Sequence, residues 1–478
     1  MTQTLYFRLI LASFGFAWTL SFPFEGSLVY AVLERDSFLP GSLTFELVLA
    51  VCLGLFSTGF FVRNGRTALW FIRFSLLFGL VVTAFAFVSS PLLRPLLWLA
   101  SFSMGISNGA LVFFIVRLGT PLQRYKAVAD ILIYGNIWMI ASDMLTVNCS
   151  LEAGLSVSAL ALCAGLYGTG GLDTSAAQAG AGGTVSNPQG AAGATSSVLA
   201  PLAFLTVFIT IICINSGLMY QVLVPAFSNL KSFASFYWAI PYIAAIWLMR
   251  RFPTLLSPKQ TLLAALSMNG LAFLAFSVLD RSLPSYLVVN TLMLFACGVY
   301  DLFWWSVLAC LSSRHRNAGL VMGIGLGGNV LGVLLGGIAG KNLVSMPSET
   351  GSFPYAVPLA LFVICVIMTF LNPLHRLLRT YVGDSPLLKD DAEKETVLVP
   401  VSSEEELRGL PESLTESERR IASLIHKGRT YDMIAEELFI SKNTVKFHIK
   451  NIYGKCGVGN KAEFIKSLKA SGTPSKSG

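Results

Sequence analysis

Residues 353–379 read FPYAVPLALFVICVIMTFLNPLHRLLR, an apolar run that ends in a short basic segment. A run of about 20 mostly apolar residues is long enough to cross a bilayer as a helix. Up to Arg379 the chain carries 30 Lys, Arg, Asp and Glu side chains, and the much shorter remainder carries another 30. This step in charge density predicts a large membrane part followed by a small soluble part.

The composition excludes an ordinary soluble enzyme, since 54% of residues are hydrophobic and only 13% are charged. A segment rich in Gly, Ala, Ser and Thr, residues 171–197, predicts a flexible linker that divides the membrane part six plus six. The fold class is therefore all-α, a polytopic twelve-helix (6+6) bundle followed by a small helical domain. The predicted spans lie near 9–32, 42–62, 68–89, 94–116, 127–147, 151–169, 198–221, 233–249, 260–279, 284–311, 318–340 and 353–371.

Basic residues are unevenly distributed over the predicted connections. With the N-terminus inside, the inner connections hold twelve Lys and Arg residues and the outer ones hold five. Cytoplasmic loops carry an excess of Lys and Arg. The count predicts a multi-pass protein of the cell membrane with both termini in the cytoplasm.

The connection between the second and third spans reads Gly59-Phe-Phe-Val-Arg63-Asn-Gly65-Arg66. Together with the six-plus-six architecture, it resembles the major facilitator fold over about 370 residues. The resemblance implies alternating access of two halves around a central cavity. The Asp of the family's Gly/Asp/Arg/Gly/Arg signature is missing here, which argues against active transport.

Span eleven contains Gly323-x-Gly325-x-x-Gly328, which matches a dinucleotide fingerprint by letters. That fingerprint needs a preceding strand, whereas this motif lies inside an apolar run. Glycines continue at four-residue spacing to Gly340, a pattern that permits close approach of two helices. We interpret the motif as a packing surface.

Polar residues inside the spans are candidates for a ligand site, because burying a charge in a bilayer is costly. A cavity site would favour a cationic small molecule. In a structural alternative, the same carboxylates pair with Arg8 or Arg73, or lie at the membrane surface in water. The candidate ligand-binding residues are Glu25, Glu46, Asp143, Asn290, Asp301 and Trp304.

The chain after residue 372 changes character. Residues 373–412 predict an acidic tether, and residues 413–470 a basic helical domain. In that domain two short helices are joined by a three-residue turn, and the second, from Lys442 to about Lys455, is basic; this is a helix-turn-helix. Its exposed side chains suit phosphates and base edges, with Lys455 as a further phosphate contact. The candidate DNA-binding residues are Lys442, Asn443, Thr444, Lys446, Phe447, Lys450 and Asn451.

Two motifs, Ile434-Ala-Glu-Glu-Leu438 and Ile440-Ser-Lys-Asn-Thr-Val-Lys-Phe-His448, resemble the LuxR/FixJ-type DNA-binding domain. The resemblance implies a four-helix domain with Lys446, Phe447 and Lys450 at base-contacting positions. It also implies double-stranded DNA with an inverted repeat as partner, dimerisation through the helix 461–468, and RNA polymerase as a further partner.

The leading hypothesis is a membrane-embedded one-component transcriptional regulator that senses a small molecule in its membrane domain, 1–372. The alternative is a facilitator-type transporter with a regulatory DNA-binding tail. In a third interpretation the spans only anchor a regulator. This leaves the twelve predicted helices unexplained, because an anchor needs far fewer. No enzymatic activity, cofactor or metal is predicted, since the four histidines form no HExxH motif and the chain has no P-loop.

Overall fold

The computed structural model describes residues 2–24, 26–36, 40–88, 90–172, 191–253, 258–344, 356–382, 414–426, 431, 434, 442–459 and 463–464. The chain divides into two compact units, residues 1–391 and 392–478. Every regular element in these described ranges is a helix.

The structure describes nine helices in the first half of the membrane unit, and some of these join to form a single crossing. They are α1 (Thr2–Ala12), α2 (Gly15–Ser21), α3 (Ser27–Arg35), α4 (Pro40–Phe61), α5 (Gly65–Phe85), α6 (Leu93–Ala110), α7 (Val112–Ile115), α8 (Pro121–Asn148) and α9 (Leu151–Thr169).

In its described residues the second half of the unit contains eight further α-helices, a π-helical turn at Met219–Leu223 and a 3-10 turn at Ser228–Leu230. The α-helices are α10 (Ala191–Leu218), α11 (Val224–Ala226), α12 (Lys231–Tyr237), α13 (Ile240–Arg251), α14 (Pro258–Val278), α15 (Leu283–Ser312), α16 (Ala318–Val344) and α17 (Ala356–Val382). Twelve spans in the described residues are long and apolar enough to cross a membrane, which confirms the predicted number.

The first crossing differs from the predicted span 9–32. It runs over Gln3–Ser21, and the chain then breaks before α3. Pro23 explains the break between α2 and α3, because proline has no backbone N–H with which to continue the helix. The apolar run is continuous in sequence, but it forms three helices, so the predicted single span is wrong.

Two predicted connections are partly helical. Helix α10 begins at Ala191, inside the predicted linker 171–197, and residues 173–190 lie outside the described ranges. Helix α17 continues to Val382, so the first ten residues of the predicted tether are helical, and 383–413 lie outside the described ranges.

Polar caps begin several of the membrane helices where they leave the apolar region. The Asn64 side chain accepts from the backbone of Arg66 and Thr67 at the start of α5. Thr120 and Gln123 form a reciprocal capping box at the start of α8. These caps satisfy backbone N–H groups that have no partner within the helix.

Glycines on α16 allow two neighbouring helices to approach it closely. A Cβ atom at Gly332 would lie 2.2 Å from the Thr210 carbonyl oxygen of α10, and one at Gly336 would lie 2.0 Å from that of Ile214. On another face, a Cβ at Gly323 would lie 2.4 Å from the Leu55 carbonyl oxygen of α4. The packing interpretation of the glycine motif is confirmed.

The Gly336→Ala substitution tests this close approach. The added methyl group forces α10 and α16 apart, and overpacking of this kind typically costs about 1–3 kcal/mol. We expect a lower thermal unfolding temperature for the full-length protein in detergent. Gly270→Ala is the matched control, because its Cβ would lie 3.5 Å from the nearest atom, Ile364 Cδ1. Equal unfolding temperatures for the two variants would contradict the prediction.

The second unit contains α18 (Glu416–His426) and α19 (Lys442–Cys456) in its described residues. Gly457, with φ of 66°, adopts the left-handed conformation that ends α19, as glycine does at many helix C-termini. The other two predicted helices lie mostly outside the described residues. The core of the unit consists of Leu414, Ile421, Ala422, Leu424, Ile425, Ile434, Val445, Ile449, Ile452 and Phe464.

Candidate functional site

A cavity of about 130 Å³ lies between the two halves of the membrane unit. Its first-half wall comes from α2, α4, α6 and α8, and its second-half wall from α10, α13, α15 and α16. Eight aromatic side chains line it, namely Phe16, Phe24, Tyr220, Trp238, Tyr242, Tyr300, Trp304 and Trp305.

Asp301 on α15 is the one acidic or basic side chain among the described residues that line this cavity. The Tyr242 hydroxyl donates to Asp301 Oδ2 at 2.7 Å, and Asn329 Nδ2 donates to Oδ1 at 3.3 Å. Both donors are neutral. The carboxylate is therefore positioned by hydrogen bonds, and its charge is not balanced by them.

Trp304, one turn further along α15, lines the same cavity. Its side chain is 3% exposed and stacks on Tyr300, with ring centroids 5.9 Å apart. The indole Nε1 has no hydrogen-bond partner in the described part of the chain. A buried N–H without an acceptor is rare, since leaving it unpaired costs free energy.

Of the other four predicted ligand residues, the three that the structure describes do not line this cavity. Glu46 pairs with Arg94 at 2.7 Å, and both side chains are well exposed. Asp143 is buried near the backbone of Ser27 and Leu28 at the start of α3. Glu25 lies outside the described residues, although its neighbour Phe24 lines the cavity.

Asn290, the last of the four, lines a smaller adjoining pocket. Its Nδ2 donates to the carbonyl oxygen of Trp238, a residue that lines both spaces. The structure thus brings Asp301 and Trp304 together in one cavity. Asn290 contacts the wall of this cavity through its hydrogen bond to Trp238. Arg8 and Arg73, the partners considered for the carboxylates, instead donate to the carbonyl oxygens of Tyr167 and Thr169.

Sequence reasoning missed a charged cluster that joins the two halves, which we call the Asp130 cluster. Arg250 Nη2 of α13 donates to Asp130 Oδ2 of α8 at 2.9 Å, and the Tyr6 hydroxyl of α1 donates to the same oxygen. The Asp130 side chain is 10% exposed. An acid within the predicted span 127–147 was the available signal for it.

Replacing Asp130 with Asn tests whether this cluster holds the halves together. Hydrogen bonds to charged groups contribute about 1.5–3 kcal/mol, and about 1.4 kcal/mol is a factor of ten in an equilibrium constant. We expect amide hydrogen exchange in residues 240–251 to become at least about tenfold faster. Glu46→Gln, which breaks an ion pair within one half, is the control and should leave that exchange unchanged. Unaltered exchange in Asp130→Asn would refute this role.

Helix α19 of the second unit presents one buried and one exposed face. Val445, Ile449 and Ile452 are buried in the core. Lys446 and Lys450 are exposed, and Phe447, unusually for a large aromatic side chain, is 63% exposed. The exposed face is therefore basic with one apolar ring.

The remaining predicted contact residues fall into two groups. Thr444 and Asn451 are half-buried at the edge of the exposed face. The side chains of Lys442 and Asn443 lie outside the described residues, although both belong to α19.

Lys455, expected to contact phosphate, is instead engaged within the unit. Its Nζ donates to Glu418 Oε2 at 2.7 Å, and this carboxylate also accepts from the Thr415 backbone N–H at 2.8 Å. Glu418 and Thr415 thereby form a capping box at the start of α18, and Glu418 also ties α18 to α19. The hydrogen bond from Lys455, followed by those from Thr415, lowers the pKa of Glu418 below its usual value.

Replacing Glu418 with Gln removes the charge of this pair. Because the folded pKa lies below the unfolded one, the pair stabilises the unit at neutral pH, and this stabilisation is lost as the pH falls through the folded pKa. We expect a loss of about 1–3 kcal/mol at neutral pH, measured by hydrogen exchange of residues 414–426 in the full-length protein. The loss should shrink in a Lys455→Met background. Additive effects of the two substitutions would contradict the pairing.

Comparisons with known proteins agree with this division of the chain. Residues 412–468 match the model of a family described as bacterial regulatory proteins, luxR family. These residues form a LuxR-type DNA-binding domain.

Curated relatives match over the same region. A probable transcriptional regulatory protein, SgaR of Hyphomicrobium methylovorum, is 49% identical over 51 residues, which are 11% of this chain and 24% of that protein. The monoamine regulon transcriptional regulator of Klebsiella aerogenes is 41% identical over 56 residues, 12% of this chain and 25% of that protein. The chain thus spans about a quarter of the length of these relatives.

The membrane unit matches solved structures by fold. The human organic anion transporter MFSD10 (TETRAN) superposes with a TM-score of 0.54 at 17% sequence identity, covering 77% of this chain and 98% of that chain. This similarity shows a major facilitator-like fold. Together with the twelve apolar helices, it makes the chain a multi-pass membrane protein.

Proposed function

We propose that this protein is a membrane-embedded one-component transcriptional regulator that senses a small molecule in its membrane unit and controls transcription through its DNA-binding domain. The observation that carries the proposal is a LuxR-type domain on the same chain as a major facilitator-like unit with a polar, aromatic cavity between its halves. The described residues contain no group of His, Cys, Asp and Glu suited to a metal ion.

The proposed input is a change in the arrangement of the two halves. A ligand in the cavity contacts walls from both halves, and the Asp130 cluster bridges the same halves at another point. A ligand can shift such an equilibrium only by binding one arrangement more tightly than the other. The shift would reach the DNA-binding domain through α17 and the tether that follows it.

The proposed output is DNA binding through the exposed face of α19. Lys446 and Lys450 lie four residues apart, so they share a face that can enter a major groove. Phe447 lies beside them and can contact an apolar base edge. Lys442, Asn443, Thr444 and Asn451 complete the proposed contact set.

The proposal places the protein in the cell membrane, in contact with lipid, with both termini in the cytoplasm. Its further partners are an inverted-repeat promoter site bound as a homodimer, a small-molecule effector, and RNA polymerase. Domain limits of 1–372, 373–412 and 413–470 belong to the proposal, with α17 extending into the tether.

Lys446→Ala and Lys450→Ala test the output directly. The target site is first located with a genome-wide binding map of the tagged full-length protein, and affinity for that fragment is then measured in nanodiscs over a salt series. Loss of a base contact costs about 1–3 kcal/mol, and loss of a phosphate contact lowers the salt slope by about 1. We expect each variant either to bind the DNA fragment more weakly or to show a smaller salt dependence of binding. In cells, we expect each variant to lower the expression of a reporter gene or to weaken the regulation of that gene.

Lys259→Ala, which removes a basic residue from the membrane unit, is the charge-matched control. Wild-type affinity and wild-type regulation in both recognition-helix variants would argue against the proposed interface. A different result would favour a constitutive, membrane-anchored regulator instead. In that result, specific DNA binding responds neither to a small molecule nor to a change in the membrane unit.

A further inference from the structure

The cavity holds an acid whose charge is unbalanced. Each Asp301 oxygen receives a hydrogen bond from a neutral donor, Tyr242 or Asn329, and no Lys or Arg of the described chain pairs with it. A buried carboxylate is stable when a cation accompanies it, because desolvation of a lone charge is costly. The second charge must then come from a molecule that enters the cavity, or from a proton.

The walls around this acid favour a positive charge as well. Tyr220 and Trp238 lie with ring centroids 5.8 Å apart on one side, and Phe16 and Trp305 with centroids 5.5 Å apart on another. The faces of such rings carry negative charge density and attract ammonium groups, whereas they repel anions. The Asp301 carboxylate and the aromatic rings therefore both favour a positively charged ligand.

Trp304 adds a requirement on the rest of the ligand. Its unpartnered indole N–H can only donate, so its partner must be an acceptor. Residues 301 and 304 are three apart on one helix, which places their Cβ atoms about 5–6 Å apart on the same face. A ligand that satisfies both carries its acceptor a few bonds from its positive nitrogen.

The first-half wall supplies acceptors for an ammonium group. Asn108 uses its Nδ2 to donate to Thr19, and Asn136 uses its Nδ2 to donate to the Leu132 carbonyl oxygen. Their side-chain oxygens are the groups left to accept hydrogen bonds. Asp301 lies on the second half and these amides on the first, so one ammonium ligand is able to contact both halves.

We propose that the effector is a compact organic ammonium ion with an apolar ring or chain and a neighbouring hydrogen-bond acceptor, bound with its nitrogen at Asp301 and its acceptor at Trp304. This inference deepens the proposed function and rests on it, since it names the ligand class of the sensing cavity. It excludes organic anions as the effector class.

A charge series on the purified full-length protein in nanodiscs tests the proposal without DNA. The probes are 2-phenylethylamine and benzyltrimethylammonium as cations, 2-phenylethanol as a neutral analogue and phenylacetate as an anion, with binding measured by calorimetry. We expect both cations to bind at least tenfold more tightly than 2-phenylethanol, and phenylacetate not to bind. Equal or tighter binding of phenylacetate, or no binding of either cation at millimolar concentration, would overturn the proposal.

Two variants locate the contacts. Asp301→Asn should weaken 2-phenylethylamine binding at least tenfold and leave 2-phenylethanol unchanged, while Glu46→Gln, an acid outside the cavity, should change neither. In the wild type, 2-amino-1-phenylethanol should bind more tightly than 2-phenylethylamine, and Trp304→Phe should abolish that difference. Wild-type cation affinity in a folded Asp301→Asn protein would refute the site. An acceptor gain that persists in Trp304→Phe would refute the role of the indole.

This assay separates the two proposals. If no ammonium probe binds but the protein still recognises its promoter and responds to another molecule, the ligand class is wrong and the regulator function stands. If the full-length protein binds ammonium ions in the cavity yet does not bind DNA through α19, the regulator function is wrong and the ligand class stands.

Discussion

The hydrocarbon core of a bilayer offers no water, so each polar group within it must find its partner inside the protein. This constraint organises the whole membrane unit. It explains why the described chain is helical throughout and why caps such as Asn64 and Thr120 lie at helix starts. It also explains why buried polar side chains pair across helices, as Trp18 does with Thr83. Trp304 is one of several described residues with a buried polar atom that lacks such a partner, and it lies beside Asp301 on the wall of the cavity.

The same constraint limits how the two units can communicate. The Asp130 cluster and the cavity both lie between the two halves, so in the proposed function a bound molecule and the cluster act on the same equilibrium. The second unit follows different physics, because its recognition surface works in water against a polyanion. Lys446 and Lys450 are exposed and belong to the proposed DNA contacts, whereas Lys455 is held by Glu418 within the domain. In this proposal, three lysines of one helix serve two different purposes.

Much of this fold could be predicted from hydropathy alone, including twelve spans and the change of character after Arg379. The side of each helix that faces the protein interior could not be predicted in this way. Residues 40–61 are apolar almost all round, so nothing in the sequence of α4 distinguishes an inward Glu46 from a peripheral one. Asp301 was identified because an acid so deep in a span is unusual. Asp130 was missed because α8 begins at Pro121, several residues before the predicted span. The prediction therefore placed Asp130 near the start of a helix, whereas it lies well within one.

Local backbone chemistry also escaped the hydropathy pattern. Pro23 ends α2 within an apolar run, and a second break separates α1 from α2, so three helices formed where one was expected. In the DNA-binding domain, by contrast, the helix predicted from Lys442 to about Lys455 agrees with α19 to within one residue. A short amphipathic helix in water shows its limits in its alternation of apolar and polar residues, and this alternation is weak in the apolar helices of the membrane unit.

Helix α16 contacts both halves through faces that carry almost no side chains, with Gly323 against α4 and Gly332 and Gly336 against α10. Side chains that interlock must change rotamer before two helices can move past each other, and each such change has a cost in free energy. Backbone resting on backbone has no rotamers to change. The α16 contacts therefore combine close packing with few rotamer changes, so that under the proposed function little of a ligand's binding energy would be needed to release one half from the other.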